Sequence, residues 1–321
     1  MLQRTSLKVM TMTSRIVFMG TPEFAEKALE AIYNAGHEIC LVVTQPDKPK
    51  GRGMTMLPSE VKKFALEKGI EVFQPLSFKD EAAVQKIREQ NADYIIVAAY
   101  GRILPLSVLN AAKNGCINIH ASLLPHLRGA APINRAIMEG DTVGGVTIMH
   151  MAEGLDTGDI ISKHPMEIPF EMTAGEYHDA LAVLGGEAIV EFLSKDAHER
   201  TPQNEAEASY AKKIEKSETE TNFDDTALNV YNKIRGLSPY PAAFAFIGGR
   251  RMKLLRAVVG KSEQLDGNVP PAQILNADSN GIEISCRVGS IIIKELQPEG
   301  KRAMSADEFL RGNPMFKNMR I

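Results

Sequence analysis

Two side chains near the middle of the chain are spaced for carbonyl chemistry. Asn118 and His120 lie in GCINIH (Gly115–His120), an apolar run that reads as a strand. Alternation along a strand turns both side chains to one face, here at its carboxyl end. An amide beside an imidazole can hydrogen-bond a carbonyl and handle its proton. Acyl transfer to an amine needs both, because its tetrahedral intermediate gathers negative charge on oxygen. A histidine on a strand is also commonly a structural residue, so the spacing alone leaves both readings open.

Downstream, GLDTGD (Gly154–Asp159) holds Asp156 and Asp159 on a tight glycine-flanked loop. Asp156 could orient His120 or relay protons through water, and Asp159 could cap the turn. Carboxylates beside histidine also suggest a metal. His120, His126 and His150 show no helical ligand spacing such as H-x-x-x-H, however, so no metal is expected. MGTPEFA (Met19–Ala25) is a glycine turn opening a helix, and it lacks the G-x-G-x-x-G of a dinucleotide site. The loop TQPDKPKGRGM (Thr44–Met54) sets Lys48, Lys50 and Arg52 among prolines and glycines. It reads either as a mobile solvent loop or as a cationic arm ordered by a phosphate backbone.

The elements that must position these residues follow from the hydrophobic pattern. Short apolar runs, RIVFMG, EICLVVT, EVF, DYIIVAAYG and GCINIH, alternate with helical stretches. That alternation implies right-handed βαβ crossovers and an α/β fold with a mostly parallel sheet, whose chemistry gathers at the carboxyl ends of the strands. A long helix is expected from about Ala174 to Lys195, and Thr201–Thr221 is polar enough for a linker. Beyond a helical piece near Thr226–Gly236, the runs AAFAFI, MKLLRAVV, AQILNA, GIEISCR and SIIIKELQP are broken at regular intervals by Gly, Pro, Asn and Asp. Such spacing suits a small five-stranded OB-type β-barrel.

At 321 residues, with 44% hydrophobic and 24% charged residues, the chain has the composition of a globular protein of about two domains. No apolar run is long enough to span a bilayer, and MLQRTSLKVMTMTS lacks the features of a secretory signal. A cytoplasmic location is therefore expected, with Cys40, Cys116 and Cys286 as reduced, buried thiols. The net charge of −3 is uneven: Ala208 onward carries 17 Lys/Arg against 13 Asp/Glu, and the remainder 20 against 27. A basic C-terminal third is compatible with a polyanionic partner, or simply with a solvated face.

GTPEFA, TQPDKPKGRG, VAAYGRILP, INIHASLLPHLRGAAPINRAI, GVTIM and GLDTGDI occur in one order. Together with the weaker SYAKKI, RGLSPYPAAFA and KELQPEGKRAMSADEFL, the chain closely resembles the methionyl-tRNA formyltransferase family of the formyltransferase superfamily, from about Arg15 to beyond Leu310. Residues 1–14 read as a short disordered leader; the resemblance implies a Rossmann-like formyltransferase domain over 15–200, a linker over 201–221 and an OB-like tRNA-binding domain over 222–321. It implies formyl transfer from 10-formyltetrahydrofolate to the amine of methionine on initiator tRNA. Asn118, His120 and Asp156 match the catalytic residues, and Ser122, Leu123, Leu124 and Pro125 match the folate-contacting stretch. The loop with Lys48, Lys50 and Arg52 matches the arm that inspects the tRNA acceptor end, and Lys212 and Lys213 match a basic tRNA-facing segment. No membrane partner and a monomer are expected. Two departures are visible. Pro239-Tyr240-Pro241 stands where the family often has Pro-Trp-Pro, and Ala121 stands where Gly or Pro is often seen. Relatives acting on a purine precursor or an amino-sugar nucleotide, a formyl-folate hydrolase and a non-catalytic RNA-binding protein are the rival readings. The basic C-terminal third and the cationic arm argue against the first three, and the intact trio against the last.

Overall fold

The computed structural model describes residues 13–50, 55–260, 269–314 and 319–321. Most of the expected leader and Arg52 therefore lie outside the described residues, as does the side chain of Lys50.

The first elements alternate as the apolar runs require: β1 (Arg15–Gly20), α1 (Glu23–Asn34), β2 (Glu38–Val43), β3 (Lys48–Lys50), β4 (Thr55–Leu57), α2 (Glu60–Glu67), β5 (Val72–Phe73), α3 (Glu81–Arg88), β6 (Tyr94–Ala98), α4 (Leu106–Leu109) and β7 (Cys116–His120). There follow β8 (Arg128–Gly129), α5 (Pro132–Glu139), β9 (Val143–His150), β10 (Ile160–Glu167) and α6 (Ala174–Leu193). Helix α1 buries Phe24, Ala25, Ala28, Leu29 and Ile32, an apolar stripe of helical period. Strands β1 and β6 are buried almost throughout, which is why they read as continuous apolar runs rather than alternating ones.

Seven strands form one sheet in the order β10-β9-β7-β6-β1-β2-β5. The pairings β5–β2, β2–β1, β1–β6 and β6–β7 are parallel, and β9 runs antiparallel to β7. The chain builds outward from β1 through β2 to β5, then returns to lay β6 on the other side of β1. That reversal makes a switch point between β1 and β6, where the following loops diverge and leave a crevice at the carboxyl ends. The parallel α/β expectation holds. One segment differs from its reading as a loop: Lys48–Lys50 and Thr55–Leu57 pair as a short antiparallel hairpin, Lys48 opposite Leu57. Its legs, KPK and TML, are three residues each, too short for strand periodicity to register.

The later elements are β11 (Tyr210–Ala211), α7 (Ala227–Leu237), β12 (Ala243–Ile247), β13 (Arg250–Val259), β14 (Ile274–Asp278), β15 (Gly281–Ser285), β16 (Ser290–Pro298), β17 (Met304–Ser305) and α8 (Ala306–Gly312). Strands β12 to β16 make an antiparallel sheet in the order β12-β13-β16-β15-β14, with β17 beside β16, while β11 pairs with β8. Its core joins Val230, Tyr231, Ile234 and Leu237 of α7 to Leu254, Ile282, Ile293 and Leu296 of the strands. The strand content and order are consistent with an OB-like barrel, with no hydrogen-bonded seam between β12 and β14 among the described residues.

By packing, the chain divides into two compact units interleaved in sequence. One holds residues up to Arg128, Gly145–Pro165 and Ala180–Ala208; the other holds Gly129–Gly144, Met166–Asp179 and the chain from Ser209 on. In the second unit, α5 lies on α7, with Asn134 donating to the Gly236 carbonyl at 2.7 Å. The second half of the longest motif, APINRAI, thus belongs by packing to the unit that carries the antiparallel sheet.

Candidate active site

Strand β7 is buried along its whole length. Ile117 and Ile119 face one side, where Gly185 of α6 comes so close that a Cβ there would lie 3.0 Å from Ile119 Cγ2. Asn118 and His120 face the other. Asn118 is 8% exposed, yet its amide has no hydrogen-bond partner among the described residues. The amide is not among the fully enclosed polar atoms that lack a partner, so it keeps access to water and is open to a ligand.

His120 is held at both ring nitrogens. Nε2 lies 3.0 Å from the Leu127 carbonyl oxygen. A carbonyl can only accept, so Nε2 carries the hydrogen and the tautomer is fixed. Nδ1 faces Asp156 Oδ2 at 3.7 Å, with side-chain exposures of only 7% and 13%. That separation exceeds a direct hydrogen bond and suits a charge pair or a single bridging water. The two residues that address the ring both adopt left-handed backbone, Leu127 at φ 58° and Asp156 at φ 53°. Non-glycine residues hold that conformation only where the surroundings over-determine it.

Those surroundings are visible. After β7 the chain turns through Ser122–Pro125, with a cis peptide between Leu124 and Pro125. Thr147 of β9, wholly buried and opposite His120 in register, donates to the Ser122 carbonyl at 2.7 Å and accepts the Leu124 N–H at 3.0 Å. Ser122 Oγ donates to the His126 carbonyl at 2.6 Å. Of the four residues expected to contact folate, Ser122, Leu124 and Pro125 are buried and shape the turn, while Leu123 is half-buried. On the Asp156 side, Gly158 passes so near β9 that a Cβ would lie 1.8 Å from the His150 carbonyl oxygen. The loops after β1, β2 and β6 meet at one point: the Tyr100 carbonyl accepts from Gln45 Nε2 at 2.9 Å and from Thr21 Oγ1 at 3.4 Å. These knit the strand ends around the switch point.

Sequence reasoning passed over Gln203. Its Nε2 donates to the carbonyls of Asp156 at 2.8 Å and Gly158 at 2.7 Å. It lies in the polar stretch read as linker, 47 positions from Asp156, and nothing local marks it. Arg128 was likewise unmarked. It is wholly buried, with its guanidinium bidentate on Glu205 at 2.7 and 2.9 Å, and it holds the Glu205 carboxyl below the usual range.

The basic candidates are placed as follows. Lys48 is exposed at the base of the β3–β4 hairpin. Lys212 and Lys213 are exposed beyond β11, and Arg135 donates to their carbonyls at 3.0 and 3.2 Å. Arg135 is itself bidentate on Glu218 at 2.7 and 3.0 Å, which lowers the Glu218 pKa. Tyr240, in place of the family's Trp, is 81% exposed and so does not disturb the core. Among the described residues, no three His, Cys, Asp or Glu side chains converge as a metal site. No helix among them is long and apolar enough to cross a membrane.

Amide, imidazole and carboxylate at the carboxyl end of a doubly wound sheet can polarise a carbonyl and move a proton beside it. The chain belongs to the formyl transferase family: that family's model matches residues 14–193, and the model of its C-terminal domain matches residues 213–314. Among curated relatives, a methionyl-tRNA formyltransferase of Thiobacillus denitrificans is 45% identical over 96% of this chain and 99% of its own length. One of Acetivibrio thermocellus is 44% identical over 93% of this chain and 96% of its own. Among solved structures, an N-formyltransferase from Helicobacter canadensis, in complex with folinic acid and dTDP-3-aminofucose, matches 89% of this chain and all of its own. The TM-score is 0.66 at 19% identity, which supports the fold alone.

Proposed function

We propose that this protein transfers the formyl group of 10-formyltetrahydrofolate to the α-amine of methionine carried by initiator tRNA, producing formylmethionyl-tRNA for translation initiation. The observation that carries the reading is the approach of Asp156 to His120, with Asn118 on the same face of β7, in a chain whose near-full-length relatives carry that name. The formyl donor is a co-substrate, and no metal is required. Formyl transfer to an amino-sugar nucleotide is the second reading, favoured by the fold of the Helicobacter canadensis enzyme. An identity of 19% against 45% ranks it lower.

In this mechanism Asn118 donates its unpartnered amide to the formyl oxygen as the amine nitrogen bonds to carbon. His120, with Nε2–H committed to Leu127, takes the amine's proton at Nδ1 as the new bond forms, and the charge is balanced by Asp156 across 3.7 Å. The positive ring stands beside the oxygen that gains negative charge. Asp156 and a water pass the amine's proton toward the folate nitrogen as its bond to the formyl carbon breaks. The backbone of Ser122–Pro125, pinned by Thr147, offers a rigid wall for the donor. Residues 15–200 serve as the formyltransferase domain, 201–221 as linker and 222–321 as the tRNA-binding domain of a cytoplasmic monomer. Lys48, Lys50 and Arg52 on the arm and Lys212 and Lys213 meet tRNA phosphates. A-form grooves are hard to read directly, so selection rests on backbone contacts and on the acceptor end.

The test is formyl transfer to charged initiator tRNA, with elongator methionyl-tRNA as control, for wild type and His120→Ala. Product on the initiator alone, reduced about 100–1,000-fold in the variant, is expected for loss of one oxyanion-stabilising group. Folate turnover without tRNA product would overturn the assignment and favour a hydrolase or a small-molecule acceptor.

A further inference from the structure

The chain beside β10 supplies a clamp on the Asp156 loop. Thr201 and Ile160 exchange backbone hydrogen bonds at 2.9 Å, which sets Thr201 beside β10 at the sheet edge. Gln203 spends both amide hydrogens on the loop, one on the Asp156 carbonyl at 2.8 Å and one on the Gly158 carbonyl at 2.7 Å. Its Oε1 accepts from Arg128 Nε at 3.0 Å. An amide side chain can flip, and here Arg128 decides which way. A guanidinium can only donate, so the Gln203 oxygen must face it and the nitrogen must face the two carbonyls. Arg128 is in turn fixed by Glu205 and by its burial.

Arg128 also follows Leu127, whose carbonyl receives the His120 Nε2 hydrogen. One network therefore touches both supports of the imidazole: the residue next to its Nε2 acceptor, and the backbone of the carboxylate facing Nδ1. Asp156 has φ 53°, a conformation that a residue with a Cβ rarely adopts, and the Gln203 bond falls on that residue's own carbonyl. Released from it, the loop has reason to relax toward ordinary backbone and turn the carboxylate away.

We propose that Gln203 is a positioning residue for formyl transfer: its amide, oriented by Arg128, holds the left-handed turn that aims Asp156 at His120. The proposal rests on the reading that Asp156 and His120 carry the reaction. Gln203→Glu is the informative variant. It keeps an acceptor for Arg128, so the buried guanidinium stays paired, while both donors to the loop are lost. Gln203→Met removes the donors and the acceptor together and serves as the second variant.

The experiment measures kcat and both KM values, thermal unfolding, and a double-mutant cycle with Asp156→Asn. A displacement of about 1 Å at a reacting group costs roughly 100-fold, so kcat of Gln203→Glu is expected to fall by about that factor. Both KM values should stay within about twofold and the unfolding midpoint near wild type, because only the reacting geometry is lost. In the Asp156→Asn background, Gln203→Glu should cost little more, since the two act through one carboxylate. Full wild-type kcat in Gln203→Glu and Gln203→Met would overturn the proposal, as would losses that track the unfolding midpoint and multiply with those of Asp156→Asn. Wild-type activity in Asp156→Asn itself would overturn the reading beneath it as well.

Discussion

Replacing Thr147 by valine removes one hydroxyl and keeps the side chain's shape, which isolates what that hydroxyl does. Thr147 is wholly buried, and its Oγ1 both donates to the Ser122 carbonyl and accepts the Leu124 N–H. Valine leaves a buried acceptor and a buried donor unmatched, each at a cost of about 1–3 kcal/mol. A methyl in place of the hydroxyl returns on the order of 1 kcal/mol of apolar burial. The net expectation is a loss of about 1–5 kcal/mol if the turn stays in place. Should the turn instead move to find water, stability suffers less and the Ser122–Pro125 wall shifts. Donor KM should then rise about tenfold, equivalent to about 1.4 kcal/mol. Thr147→Ser is the control, because it keeps both hydrogen bonds and gives up one methyl. Urea unfolding and steady-state kinetics on the three proteins read both quantities. A valine variant with wild-type midpoint and wild-type donor KM would refute the reasoning, as would a serine variant equally damaged.

Three further outcomes are expected. Gly158→Ala would set a Cβ 1.8 Å from the His150 carbonyl oxygen, so the Asp156 loop must shift. Turnover should drop about 100-fold with an unchanged circular-dichroism spectrum, and a wild-type kcat would contradict this. Arg135→Met frees the backbone at Lys212 and Lys213. It should raise KM for methionyl-tRNA about tenfold through the cost of ordering that segment, with donor KM unmoved. Equal rises in both would point to a general defect. Burial pushes the Cys116 and Cys286 thiols up to about 12. Raised values mean that both stay protonated and unreactive at pH 8, so a thiol reagent should find at most Cys40 in the native protein and all three after unfolding. Rapid native modification of Cys116 would count against the packing described for β7.

Much of this protein was legible in the order of its residues. Continuous apolar runs marked β1, β2, β6 and β7, and short runs broken at regular intervals by Gly, Pro, Asn and Asp marked the antiparallel strands, because burial and turn chemistry write themselves directly into local pattern. Asn118 and His120 could be assigned to one face, since strand alternation depends only on their spacing. The family motifs named Asp156 as their partner. The β3–β4 hairpin escaped notice, as its legs are shorter than any period. So did Arg128 and Gln203, for a different reason: their significance lies in hydrogen bonds spanning 75 and 47 positions, and a polar stretch that will support a loop looks the same as one that will not. What the sequence determined by itself is the inventory, namely which strands are buried, which side of β7 carries Asn118 and His120 and which groups are available. What the tertiary structure decided is their aim: the tautomer of His120, the left-handed turn at Asp156, and the approach of carboxylate to imidazole. Those depend on donors and acceptors that meet only when distant segments pack, and no local pattern encodes them.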